Sequence, residues 1–102
     1  MDAQKILQMR DEKARPHLEQ YAPVWLVNQR VAPEDDSVTF DVVLQNPYYG
    51  WVNRRYRFDA FNSVLYYLGE TILPEDRAIA IQEQQPPFIE ALVSDIPHAY
   101  GG

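Results

Sequence analysis

The chain has 102 residues, 46% of them hydrophobic and 24% charged, with 9 Lys plus Arg against 15 Asp plus Glu for a formal charge of −6. This length and apolar fraction suit one domain with a buried core, and they exclude general disorder and any collagen-like repeat. The lack of cysteine removes disulfide staples, zinc ribbons, thiolate nucleophiles and iron–sulfur ligation together.

A chain without cysteine fits a reducing compartment. Met1 to Arg10 alternates charged and apolar residues and has neither the apolar stretch nor the cleavage site of a signal peptide. No purely apolar run exceeds the four residues Val24 to Val27, against the ~20 that span a bilayer. The expectation is a cytoplasmic protein without membrane insertion. Its charge is uneven: residues 1–58 hold eight bases and eight acids, whereas residues 59–102 hold Arg77 and seven acids. A polyanion would be repelled by that second part, which weighs against a nucleic acid held by the whole domain.

In chain order, residues 2–14 read as a helix with Asp2 as N-cap and a thin apolar face of Ile6, Leu7, Met9 and Ala14. Pro16 ends or kinks it, and His17 to Tyr21 can add a turn. Three strands follow. Val24 to Val31 lies between two prolines. Ser37 to Gln45 alternates Val38, Phe40, Val42 and Leu44 on one face with Thr39, Asp41, Val43 and Gln45 on the other. Trp51 to Phe58 sets Val52, Arg54, Tyr56 and Phe58 opposite Trp51, Asn53, Arg55 and Arg57. Turn chemistry between the runs makes an antiparallel meander the economical arrangement.

Residues 60–68 carry a helical pattern: Phe61, Val64, Leu65 and Leu68 at i, i+3, i+4 and i+7, Asp59 placed to cap and Gly69 placed to terminate. This helix is expected to cover the Val38/Phe40/Val42/Leu44 face. Residues 74–84 read as a further helix, with a short fourth strand at Ala78 to Ile81 as the alternative, and a last helix is expected over about 87–94. The expected fold is thus α+β: an N-terminal helix, a three-stranded meander and two to three C-terminal helices on one sheet face, making one domain over 1–97 with a flexible tail at 98–102.

The strongest local feature is residues 48–58, where three arginines and five aromatics fall within eleven positions. Guanidinium groups pair with carboxylates or phosphates, and rings supply buried area or stack on bases, so this composition suits an interaction surface. Trp51, Asn53, Arg55 and Arg57 would share the sheet face away from the helices, with Tyr48 and Tyr49 at the loop between strands two and three. Against this stands a purely structural role, in which the arginines pair with the domain's own acids and Tyr56 and Phe58 are core.

Other groupings carry little chemistry. The consecutive acids Glu34, Asp35 and Asp36, and the pair Glu75 and Asp76, suit a solvated turn and a helix start better than acid–base catalysis. His17 and His98 lack metal-ligand spacing, and no serine or glycine context forms a nucleophile elbow or phosphate loop. No cofactor is therefore expected. The leading expectation is a protein-interaction or regulatory module that binds an acidic protein partner, or a second copy of itself, through Tyr48, Tyr49, Trp51, Asn53, Arg55 and Arg57. The alternatives are single-stranded nucleic acid or a phosphorylated ligand on the same face, and a small enzyme or ligand pocket without a motif, for which Asp59, Tyr56 and Asp41 are the first suspects.

Overall fold

A computed structural model describes residues 1–91. The elements run α1 (Ala3–Leu18), β1 (Trp25–Ala32), β2 (Ser37–Asn46), β3 (Gly50–Asp59), β4 (Val64–Ile72) and α2 (Glu75–Gln84), with short 3₁₀ turns at Glu19–Tyr21 and Pro33–Asp35. The four strands form one antiparallel sheet in the order β1-β2-β3-β4. The α+β class, the N-terminal helix and the meander agree with the sequence pattern. Strand number and helix placement differ from it.

The largest difference is at residues 60–68, which form a tight turn and the first part of β4 rather than a helix. Asp59 does accept hydrogen bonds three residues on, from the Asn62 backbone N–H at 3.2 Å and the Asn62 side chain at 2.8 Å. They close a hairpin instead of opening a helix, because Ser63 takes a left-handed φ of 55° that no helix continues through. β4 then pairs Val64 to Ile72 with Asp59 to Val52, its register shifted once between Arg55 and Tyr56. The shift is absorbed at Leu68 and Gly69. Gly69 has φ +110°, a conformation that a side chain would strain.

The face that residues 60–68 were expected to cover is covered by α1. Ile6, Ala14 and Leu18 pack with Val38, Phe40, Val42 and Leu44 of β2 and with Val52, Tyr56 and Phe58 of β3. The buried stripe of α1 runs Ile6, Arg10, Ala14, Leu18, four residues apart, and Arg10 stacks its guanidinium 4.7 Å from the Phe40 ring. Helix α1 also passes through Pro16. The proline has no N–H to offer the Glu12 carbonyl, but both residues are on the solvent-exposed side of the helix. Asp2 caps the helix by accepting from the Lys5 N–H at 2.9 Å. Asp2→Ala is expected to cost about 1 kcal/mol, read as a fall of several degrees in Tm.

The helix expected over 74–84 forms as Glu75–Gln84, with Pro74 extended at its N-cap, and no strand forms at Ala78 to Ile81. This helix packs on the opposite sheet face, where Ala78 and Ile81 meet Trp25, Val27, Val43 and Trp51. The helices therefore cover both faces rather than one. No helix forms at residues 87–91 either: Phe88 and Ile89 hydrogen-bond the Val24 backbone as an isolated bridge beside β1. The rest of that expected helix, and the expected tail at 98–102, lie outside the described residues. Among the described residues no helix is long and apolar enough to cross a membrane.

Candidate functional site

Opposed residues of an antiparallel pair share a sheet face, so the register defines which side chains meet. On the α2 side of the sheet, Arg30 pairs with Thr39, Thr39 with Arg57 and Arg57 with Tyr66. One row thus crosses all four strands as Arg30, Thr39, Arg57 and Tyr66. The adjacent row holds Asp41, Arg55 and Gly69. Helix α2 covers the other end of this face down to Val27, which pairs with Asp41 in the second row, and leaves the first row and Arg55 accessible.

Asp41 organises the patch. It is 1% exposed in the middle of β2. Arg55 donates to both its oxygens, Nε to Oδ1 at 2.8 Å and Nη2 to Oδ2 at 3.1 Å, and Asn28 donates to Oδ2 at 2.8 Å. Burial alone would raise the Asp41 pKa. The hydrogen bonds from Arg55, Asn28 and Asn53 and the charge of Arg55 outweigh it and hold the carboxyl below its ordinary value. The same partnership raises the Arg55 pKa. Arg30 and Arg57 have no ion pair within 4 Å among the described residues. The open rows therefore carry three guanidinium groups against one buried carboxylate. A cleft of about 480 Å³ opens between Asn28, Gln29, Arg30, Thr39 and Arg55.

Of the residues expected at a binding surface, Asn53, Arg55 and Arg57 do share this face. Arg55 is both structural and exposed, its charge half spent on Asp41. Trp51 is on the same face but not in the open part. It lies edge-on to Trp25, with ring centres 6.1 Å apart, in the small core under α2. Tyr48 and Tyr49 project from the β2–β3 hairpin, 88% and 64% exposed, with the Asn46 side chain accepting both their backbone N–H groups. They lie at the far end from Arg30 and Arg57, beyond the Trp51 side.

Arg30, Thr39 and Tyr66 belong to the patch and were not expected there. Strict alternation from Val27 would turn Arg30 to the α1 side. A bulge at Asn28 and Gln29, with Asn28 at φ 54°, inserts the extra residue that turns it back. Asn28, directly after the apolar run Val24 to Val27, was the available signal, since asparagine tolerates the left-handed region that bulges use.

The groups first suspected of catalysis are engaged structurally. Asp41 is tied into its ion pair, and Asp59 holds the hairpin turn, where its bonds to Asn62 lower its pKa. Tyr56 is buried between α1 and the sheet. Its hydroxyl meets His17 Nε2 at 3.1 Å and accepts from Arg54 Nη1 at 3.1 Å, and burial, partly offset by Arg54, raises its pKa. Arg54 continues to Glu70 at 2.8 Å. This network faces the α1 side, away from the basic rows. Among the described residues no group of three His, Cys, Asp or Glu could hold a metal ion.

Together these features define an α+β domain with a helix on each face of a four-stranded antiparallel sheet and one basic, partly open sheet surface. No protein-family model, curated protein or solved structure matches the chain.

Proposed function

We propose that the chain is a protein-interaction module that binds an acidic segment of a partner protein across the open half of its α2-side sheet face. The supporting observation is the row Arg30, Thr39, Arg57 and Tyr66, in which two arginines on different strands, without an ion pair among the described residues, flank a small floor. Arg55, fixed by Asp41, adds a third guanidinium in the next row. Arginines set at fixed spacing on a rigid sheet orient carboxylates and hasten encounter, while the Tyr66 ring supplies contact area at little entropic cost. Asn53, at the border of the patch, adds a hydrogen-bonding group. Tyr48 and Tyr49 are best placed to meet the same partner only if it extends past α2 to the β2–β3 hairpin.

An acidic protein segment is favoured over single-stranded nucleic acid because of Trp51. A nucleic-acid platform needs successive exposed rings for stacking, and the indole that would serve is packed against Trp25 beneath α2. A phosphorylated segment uses the same guanidinium chemistry and is one arm of the test. Fluorescence anisotropy with an oligoglutamate peptide, a phosphoserine peptide and an oligothymidylate of equal charge compares the three. Arg30→Glu with Arg57→Glu is expected to weaken peptide binding about tenfold or more, since charge reversal turns attraction into repulsion. Unchanged peptide affinity in the double variant sinks this reading. Preferred binding of the oligothymidylate with a steep salt dependence would transfer the face to nucleic acid.

A further inference from the structure

The two edges of the sheet are treated differently. The β1 edge is blocked at its start, where residues 88 and 89 already hydrogen-bond Val24 and the Gln85 side chain donates to the Leu26 carbonyl at 2.8 Å. Further along, the bulge at Asn28 and Gln29 interrupts it, and Pro33 follows its end. These are devices that keep an edge from pairing. The β4 edge has none of them except the single Gly69 shift. It is nine residues long, VLYYLGETI, without lysine or proline, and among the described residues its only strand neighbour is β3. Among the described residues no backbone hydrogen bond outside the β3 ladder involves it.

Four of its side chains are large, hydrophobic and exposed: Tyr66 44%, Tyr67 58%, Leu68 53% and Ile72 70%. The one charge, Glu70, is consumed internally, with Oε1 accepting from Arg54 at 2.8 Å and Oε2 from Asn46 at 3.1 Å.

We infer that β4 is the dimerisation edge of this protein, pairing antiparallel with β4 of a second copy to make one continuous eight-stranded sheet. Charge selects this occupant. A two-fold axis brings each group against its own copy, and a chain of net charge −6 tolerates that only along an edge whose single carboxylate is already neutralised. No cation on β4 is available to recruit an acidic partner there. Area agrees. At roughly 200 Å² for a large, fully exposed side chain, the four residues offer on the order of 450 Å² per copy. Two copies, with the backbone edges they cover, reach at most about 1,000 Å², the lower bound for a specific interface.

Sedimentation velocity on the full chain, from micromolar to submillimolar concentration, tests this. The expected mass rises to twice the 11.9 kDa chain. Leu68→Lys with Ile72→Lys is expected to stay at the single-chain mass with an unchanged circular dichroism spectrum, because both side chains are already mostly in water. Hydrogen exchange of residues 64–72 is expected to slow as the wild type is concentrated and not in the variant. A wild type that stays at 11.9 kDa throughout overturns the inference, and so does a dimer that survives both lysines or protects other segments instead. A foreign apolar strand as the true occupant would give the first result. Oligoglutamate binding measured on the same variant separates this interface from the basic face: lost dimerisation with retained peptide binding leaves the two independent.

Discussion

Arg54→Ala is expected to cost about 3–5 kcal/mol, a large part of the stability of a domain this size. Arg54 is buried on the α1 side of β3, opposite Glu70 of β4. It donates Nε to Glu70 at 2.8 Å and Nη1 to the Tyr56 hydroxyl at 3.1 Å, and its guanidinium lies 4.6 Å from the Tyr21 ring. Burial works against its charge, but the bonds to Tyr56, Glu70 and Tyr21 prevail and its pKa is raised. Truncating it leaves the Glu70 carboxylate in a poorly hydrated place with only Asn46, and the Tyr56 hydroxyl with only His17. Urea denaturation should show the loss, and Tm should fall by roughly 4–8 °C for each kcal/mol. Arg54→Met with Glu70→Leu removes both charges and should lose much less than Arg54→Ala alone, since no ion is stranded. A single variant that costs under about 1 kcal/mol would show the network to be marginal to the fold.

Asp41→Asn is expected to cost about 1.5–3 kcal/mol at pH 7, the range for hydrogen bonds to a buried charge. The sign of its pH dependence follows from the lowered Asp41 pKa. A carboxyl held below its ordinary value stabilises the fold fully above the unfolded value of 3.8, and loses that contribution as pH falls through the folded value. The stability gap between wild type and Asp41→Asn should therefore be constant from pH 7 to about 5 and close below about pH 4. A gap that persists unchanged into strong acid would mean that the carboxylate charge is not what holds Arg55 and Asn28. The same substitution frees Arg55 from its ion pair. If the basic rows bind acidic segments, oligoglutamate affinity should hold or rise while stability falls.

These two positions also show how far local pattern reaches. The alternation of β2 and β3 is legible because both strands run unbroken, with Val38/Phe40/Val42/Leu44 wholly apolar and Val52/Tyr56/Phe58 interrupted only by Arg54, so faces follow from a period of two. Asp41 and Arg55 come out on the same face for that reason, and an Asp–Arg answer across the sheet is readable from the chain. β4 is not legible in the same way. Its sheet face toward α1 holds Leu65 and Tyr67 and then Glu70 and Ile72, so the shift at Leu68 and Gly69 breaks the period of two. The spacing of Phe61, Val64, Leu65 and Leu68 that remains imitates a helix. Asp59 fits either reading, because an aspartate caps a turn with the same hydrogen bonds that cap a helix.

Composition and local periodicity suffice for the class: an α+β chain with an amphipathic N-terminal helix, a meander and an acidic second part, together with the common face of Asn53, Arg55 and Arg57. Those properties reside in composition and in periodicities that neighbouring residues set. It took the packing of strand on strand and helix on sheet to show that α2 crosses to the opposite face and packs on Trp51, that a bulge turns Arg30 toward Arg57, and that β4 is left as an open edge among the described residues. Each depends on which strand lies beside which. Bulges and crossovers are stabilised by contacts such as Asn28 to Asp41 and Trp25 to Trp51, whose partners are thirteen and twenty-six positions apart in the chain.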